Sequence, residues 1–292
     1  MSPKLRSDLI LLVAALIWGL AFVAQRVGME FVGPFTFNGA RFTLGALVIL
    51  PFLFTRHRRR NVQLITGVSR RKLILAVIAT GLLLFIGASL QQIGIKTTTA
   101  GKAGFITGLY VVLVPVAGLL FGQKVRLFMW LGVILSATGL YLLSIKSGFS
   151  IGYGDLLVLG CAFVFTFHVL LIGWLSPRMD SFVLSVTQFA ICAALSILFA
   201  ISTEHISFAK MIAGAIPILY GGIFSAGIAF TLQVVAQKSA HPAYASIILS
   251  LEAVFAAFAG WLILSESLAP RALLGCLLML AGMVAVQVKR QQ

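Results

Sequence analysis

The chain has 292 residues, of which 60% are hydrophobic and only 10% are charged, and its mean hydropathy is +1.08. Soluble domains carry roughly a quarter of their residues as charges, so this composition excludes a soluble protein and predicts a polytopic membrane protein. The net charge of +15 does not indicate nucleic-acid binding, because the basic residues crowd into short connections between apolar segments, as topology signals do.

Ten apolar segments follow one another along the chain, each long enough to cross a hydrocarbon core of about 30 Å as a helix. They lie at 8–27, 34–54, 73–95, 101–121, 127–146, 154–174, 180–202, 213–236, 243–263 and 271–289. We therefore predict an all-α membrane protein with ten transmembrane helices. The connections are short and leave no room for a separate soluble domain.

The distribution of lysine and arginine predicts the orientation of these helices. Most basic residues fall on one side of the membrane if the N-terminus is cytoplasmic, and the loop 55–72, TRHRRRNVQLITGVSRRK, contributes most of them. Positive charge accumulates on the cytoplasmic side, so we expect a multi-pass protein of the cytoplasmic membrane with both termini inside. The same loop would also suit anionic lipid headgroups.

The second half of the chain repeats the first. Asp8 at the start of the first segment corresponds to Asp155 at the start of the sixth, and Gln91 in the third corresponds to Gln233 in the eighth. Each repeat holds five helices, an odd number, so the second copy must enter the membrane from the opposite side.

We therefore predict two inverted repeats, residues 1–148 with the basic loop 55–72, and residues 149–292. Secondary transporters commonly have this architecture and bind substrate near the midplane, where the repeats meet. A channel or a membrane enzyme can also carry a duplication.

Glu252 is the acidic residue buried deepest in an apolar segment. The others, Asp8, Glu30, Asp155, Asp180, Glu204 and Glu266, fall at segment ends or in connections and are interpreted as caps or interface charges. A carboxylate near the middle of a membrane helix faces a partner or a water-filled cavity. Glu252 is thus either a structural residue tied to backbone or to Arg41, or a site for substrate or a proton. Its repeat mate is Tyr110.

Other polar or aromatic residues inside the segments are candidates for a cavity lining. Trp18 shares a helix face with Phe22 and Gln25, and either packing or cavity lining explains it. Gln91 and Gln233 form a symmetric pair of amides that would serve equally as interhelical contacts.

Two basic residues inside the segments each have a simple structural explanation. His168 in the sixth segment is a packing residue, a ligand or a proton relay. Arg41 lies about two turns from the end of the second segment, so we expect its side chain to reach the membrane interface. Asn38 lies one turn earlier and would share that polar end.

No enzyme motif is present in the sequence. It has no GxSxG, HExxH or Walker-type glycine loop, and Cys161, Cys192 and Cys276 lack metal-ligand or CxxC spacing and are interpreted as packing residues. We expect no enzymatic activity, no catalytic residue, no metal and no cofactor.

LSLEAVFAAFAGWLILSESL, around Glu252, closely resembles a signature of the EamA branch of the drug/metabolite transporter superfamily. IWGLAFVAQRVGME resembles the first helix of that branch, ARFTLGALVIL the second and TTTAGKAGFITGLYVVLVPV the fourth. The likeness extends from about Asp8 to Val288. The sequence departs from the family where Ala253 replaces a frequent proline, which puts a kink at that point in doubt.

The resemblance implies ten helices in two inverted repeats around a central cavity lined by the first, third, fourth, sixth, eighth and ninth helices. The candidate substrate-binding residues on those helices are Trp18, Phe22, Gln91, Tyr110, His168, Gln233 and Glu252. The family transports small organic metabolites, often amino acids leaving the cell.

We therefore expect an alternating-access secondary transporter that exports an amino acid or a related amphipathic solute. Glu252 would meet the ammonium group, and a carboxyl held away from water there would offer a route to proton coupling. The alternatives are a passive channel, and a membrane-embedded enzyme or lipid-binding scaffold. Gly132, Ser136 and Gly139 form a small face that suits packing within the monomer or against a second copy, so the protein is expected to be a monomer or a homodimer.

Overall fold

The computed structural model describes residues 3–57, 68–144, 151–265, 267 and 269–291. Within these ranges the regular structure is helical and contains no strand. In the described part of the chain, nine spans of at least 18 residues are apolar enough to cross a membrane, and Leu127–Leu143 is a shorter apolar helix. The prediction of an all-α membrane protein is confirmed, with the fifth span shorter than the other nine. Residues 58–67 of the basic loop and the predicted boundary between 148 and 149 lie outside the described ranges.

The first repeat contains spans 1 to 5: α1 Pro3–Gly28, α2 Pro34–His57, α3 Arg70–Gly94, α4 Ala100–Gly108 with α5 Tyr110–Leu120, and α6 Leu127–Ser144. The second contains spans 6 to 10: α7 Tyr153–Leu175, α8 Ser181–Thr203, α10 Ala215–Leu219 with the π-helix Tyr220–Phe230 and α11 Thr231–Ala236, α12 Pro242–Leu249 with α13 Glu252–Leu264, and α14 Pro270–Gln291. A short helix, α9 Phe208–Ala213, lies in the connection before the eighth span.

The fourth and ninth spans are broken near their middles, although Ala253 had put a kink after Glu252 in doubt. The amide of Leu109 donates to the carbonyl of Ile106 at 3.2 Å, and the amide of Leu251 donates to that of Ile248 at 3.2 Å. Each helix therefore tightens locally from bonds four residues back to bonds three residues back. The two breaks occupy equivalent repeat positions, and neither contains proline, so Ala253 does not prevent a break.

The eighth span widens into a π-helix over eleven residues. π-helices are rare in proteins, and those that occur often lie at functional sites. The widened segment contacts the first span, because the Tyr220 hydroxyl donates to the Ile17 carbonyl at 3.0 Å and Trp18 Nε1 donates to the Ser225 carbonyl at 3.2 Å. These two hydrogen bonds fix the π-helix against the first span in the bundle interior.

The last helices of the two repeats, α6 and α14, pack closely against each other. A Cβ on Gly139 would lie 2.5 Å from the Gly275 carbonyl oxygen, and a Cβ on Gly275 would lie 2.5 Å from the Gly139 carbonyl oxygen. Only glycine permits this reciprocal approach. The small face of the fifth span therefore packs inside the monomer and is not available to a second copy.

Several acidic residues at helix ends act as the sequence predicted. Glu204 accepts bonds from the amides of Phe35 and Thr36 at 2.8 and 2.9 Å at the start of α2, and Asp180 accepts one from the amide of Phe182 at 2.8 Å. Carboxylates at helix N-termini satisfy free amides. The interpretation of these two residues as caps is confirmed, and Glu266 lies outside the described residues.

Candidate functional site

A cavity lies between the two repeats, beside both helix breaks. Its lining residues come from both repeats: Trp18, Phe22, Gln25, Arg41, Gln91, Thr107, Tyr110, Phe165, His168, Val169, Ser225, Phe230, Gln233, Leu249 and Glu252. The structure brings together all seven candidate site residues from the sequence in this cavity. Arg41 joins them from α2, a helix that was not expected to contribute.

Much of the lining consists of repeat mates. An offset of 147 relates the first span to the sixth, and an offset of 142 relates the third and fourth spans to the eighth and ninth. The mated lining residues are Trp18 with Phe165, Phe22 with Val169, Gln91 with Gln233, Thr107 with Leu249, and Tyr110 with Glu252. The backbone framework of the cavity is therefore symmetric, while its side chains are mostly different.

Glu252 is the first residue of α13, directly after the break, and is 3% exposed. A helix N-terminus favours negative charge because its free amides carry partial positive charge. Tyr110 lies beside the carboxyl, but the Tyr110 hydroxyl and Glu252 Oε1 have no partner with hydrogen-bond geometry. Glu252 also forms no ion pair with Arg41, so the interpretation that Arg41 holds it is wrong. The carboxyl has bonding capacity left for a ligand.

Arg41 lies inside the bundle, 2% exposed, and does not reach the membrane interface as the sequence predicted. Its guanidinium carbon lies 4.7 Å from the ring centre of Phe42 and 5.8 Å from that of Phe37. Nε has no partner, and the guanidinium makes no ion pair within the described chain. Asn38, one turn earlier, is also buried, and both of its amide atoms lack partners.

Aromatic side chains form one wall of the cavity. Trp18 packs edge-on against Phe230 with ring centres 4.7 Å apart, and His168 meets the same ring at 6.0 Å. His168 Nε2 lies 2.9 Å from Gln188 Oε1. This bond fixes the imidazole, which is 1% exposed, so packing explains His168 while its ring still borders the cavity.

The two mated glutamines differ in their hydrogen bonds. Gln91 Nε2 donates to the Thr107 hydroxyl at 3.1 Å, and leucine occupies the equivalent position beside Gln233. Gln233 Oε1 has no partner. Gln91 therefore serves partly as an interhelical contact, whereas the Gln233 carbonyl is left to accept a bond from a ligand or a water.

The cavity is small and only partly enclosed in this conformation. Its volume of about 40 Å³ suits a few waters rather than a metabolite. On one side of the bundle Lys102 Nζ lies 2.5 Å from Asp155 Oδ2, and Thr98 donates to the same carboxylate at 2.8 Å. On the opposite side Ser7 donates to the Ala236 carbonyl at 3.0 Å. The bundle must widen to admit a larger solute.

Sequence reasoning missed Thr107, Phe165, Val169, Ser225, Phe230 and Leu249 as lining residues, and noted Gln25 only as a neighbour of Trp18. The repeat offsets would have identified Phe165, Val169, Thr107 and Leu249 as mates of other lining positions. Ser225 and Phe230 lie in the π-helix, which the sequence did not indicate. Among the described residues, no group of three or more His, Cys, Asp or Glu side chains is placed to hold a metal ion.

A bundle of inverted repeats, with a cavity lined by both repeats beside two broken helices, is typical of secondary transporters. The chain belongs to the EamA-like transporter family, whose model matches residues 5–145 and 152–287. These two matches cover the two repeats. The resemblance noted in the sequence is therefore confirmed.

Two relatives are named as transporters, and one solved structure shares the fold. An uncharacterized transporter of Archaeoglobus fulgidus is 32% identical over 287 residues, covering 98% of this chain and 87% of that protein. The uncharacterized transporter YoaV of Bacillus subtilis is 23% identical over 274 residues, covering 91% of each chain. One crystal structure superposes with a TM-score of 0.76 at 20% identity and covers 98% of both chains, which shows the shared fold.

Proposed function

We propose that the protein is a secondary transporter that carries an α-amino acid, or a related amphipathic solute, by alternating access. The single observation that supports this most is the buried carboxyl of Glu252. This residue is the first of α13, directly after the break in the ninth span, and its Oε1 atom has no hydrogen-bond partner. An ammonium group would satisfy it. The apolar part of the solute would pack on Trp18, Phe22 and Phe230.

The direction and the energy source belong to the same proposal. A location in the cytoplasmic membrane with both termini inside is supported by the surplus of basic residues on the predicted inner side. Export is proposed from the family resemblance, which implies that the solute often leaves the cell. Proton coupling is supported by the burial of Glu252, because a carboxylate held away from water binds a proton more readily. A proton and a cationic group would then compete for the same oxygens.

A passive channel is the alternative that the cavity addresses most directly. A channel needs a continuous water path, whereas this cavity has a volume of only about 40 Å³. A cavity of this size supports a carrier that changes conformation to admit its solute.

Counterflow in proteoliposomes tests the proposal. Vesicles containing the purified protein are loaded with the twenty standard amino acids, and uptake of each labelled amino acid is followed with and without a pH gradient. We expect saturable exchange of at least one amino acid, with the gradient dependence lost in Glu252→Gln. Absence of exchange by folded wild-type protein would refute amino-acid transport, and unchanged gradient dependence in Glu252→Gln would refute the proton role.

A further inference from the structure

The cavity contains two ionisable side chains of opposite sign that do not neutralise each other. Glu252 is 3% exposed and Arg41 is 2% exposed, and both line the cavity. No ion pair joins them, and neither has another charged partner in the described chain. Buried charges in proteins are ordinarily paired, since an unpaired one loses its hydration without compensation.

The surroundings of Arg41 hold its guanidinium in place without satisfying it. The stem packs against the π-helix, where a Cβ on Gly221 would lie 3.5 Å from both Cβ and Cδ of Arg41. The guanidinium lies over the ring of Phe42 at 4.7 Å. Aromatic faces attract the cation but offer no hydrogen-bond acceptor in its plane. The donors of the guanidinium therefore remain free for a planar anion.

A carboxylate is the anion that suits these donors best. Guanidinium groups bind carboxylates through two parallel N–H···O bonds, which fix both charge and orientation. Gln188 occupies the repeat position that corresponds to Arg41, and it is bonded to His168. The cation is thus present in one repeat only, just as the carboxylate of Glu252 is present in the other only.

We propose that Arg41 binds the carboxylate of the transported amino acid while Glu252 binds its ammonium group, so that the cavity selects zwitterions with an apolar side chain. The proposal rests on the proposed function and adds a specificity-determining residue to it. The ligand carries no net charge, and it neutralises both buried groups at once. The empty cavity then contains two unpaired buried charges, and the loaded cavity contains none. A solute with only one of the two groups leaves one buried charge unpaired.

The consequence for selectivity is specific. An amine that lacks the carboxylate leaves Arg41 unpaired, and a carboxylic acid that lacks the ammonium leaves Glu252 unpaired. Hydrogen bonds to charged groups contribute enough that losing one should weaken binding by about ten- to a hundredfold. We therefore expect wild-type protein to prefer leucine over isopentylamine, and phenylalanine over phenethylamine, by a factor in that range.

Competition binding on detergent-purified protein tests this inference without membrane leakage of the amines. Labelled leucine or phenylalanine is displaced by the unlabelled amino acid or by its decarboxylated amine, and the ratio of the two affinities is the readout. We expect Arg41→Gln to bring the ratio close to one and Arg41→Lys to give an intermediate ratio. Arg26→Gln, which changes an arginine outside the cavity that bonds to the Lys96 carbonyl, should keep the wild-type ratio.

A folding defect would lower both affinities together and would leave their ratio unchanged, so the ratio separates binding from structure. If Arg41→Gln does not survive purification, Arg41→Lys carries the same test. A wild-type ratio near one, or a wild-type ratio retained by both variants, would overturn the inference. Failure of the wild-type protein to bind either amino acid would overturn it as well, whereas counterflow of a different amino acid would leave the proposed function standing.

Discussion

The fourth and ninth spans carry the same break at equivalent positions, but they place different chemistry beside it. Tyr110 opens the second half of the fourth span and Glu252 opens that of the ninth. The same division extends to α2 and α8, where Arg41 corresponds to Gln188. The repeats thus share a backbone framework but differ at their charged positions. A symmetric backbone suits the exchange between an inward-open and an outward-open conformation. Charges that differ between the repeats would instead bind a ligand in one orientation only.

The largest effect should come from moving the carboxylate across the pseudo-two-fold axis. Glu252→Tyr removes the group and should lower amino-acid counterflow about tenfold or more. Adding Tyr110→Glu restores a carboxylate at the mated position of the same cavity, so the double variant should recover part of the exchange. Equal rates for the single and the double variant, both monodisperse by size-exclusion chromatography, would show that the two positions are not equivalent.

The next effect concerns the contact on the symmetry axis. Gly139→Ala and Gly275→Ala each place a methyl group 2.5 Å from the opposing carbonyl, and overpacking of this kind costs about 1 to 3 kcal/mol. We expect both variants to lower the thermal unfolding midpoint in detergent by similar amounts. Gly160→Ala is the matched control, since its Cβ would meet only Leu90 at an ordinary 3.5 Å. Unequal shifts would show that the two sides of this contact are not packed equally tightly.

The smallest effect separates the two mated glutamines. Gln91→Leu removes the bond to Thr107, and interhelical bonds in membranes contribute about 0.6 kcal/mol, so it should lower stability slightly. Gln233→Leu removes an amide whose carbonyl has no partner, so it should weaken amino-acid affinity with little loss of stability. Thermal midpoints and binding curves measured on the same preparations distinguish the two. A reversal of these roles would contradict the assignment of Gln233 to the ligand.

Much of this architecture follows from the sequence. Hydropathy locates the ten spans, and the odd number of helices in each repeat dictates the inversion. The seven candidate residues were found because polar and aromatic groups stranded in apolar helices need partners. All seven border one cavity, although their role in substrate binding stays a proposal.

Two features of the site could not be predicted, because both depend on packing between distant segments. The breaks at Leu109 and Leu251 carry no proline, and the local shift in hydrogen bonding has no signal in the residue pattern. Arg41 lies close enough to a segment end to favour the membrane interface. The burial of Arg41 depends on the close packing of α2 against the π-helix. A Cβ on Gly222 of the π-helix would lie only 2.6 Å from the Cβ of Leu44 in α2. Only the tertiary structure reveals this approach.

The most direct test asks whether Glu252, rather than its repeat mate Tyr110, recognises the solute. It measures the equilibrium binding of leucine to purified wild-type protein, Tyr110→Phe and Glu252→Gln. We expect saturable binding by the wild type, an affinity within about threefold for Tyr110→Phe, and an affinity lower by about tenfold or more for Glu252→Gln. Wild-type affinity in Glu252→Gln, or an equal loss in the two variants, would contradict a specific role for the ninth-span carboxylate.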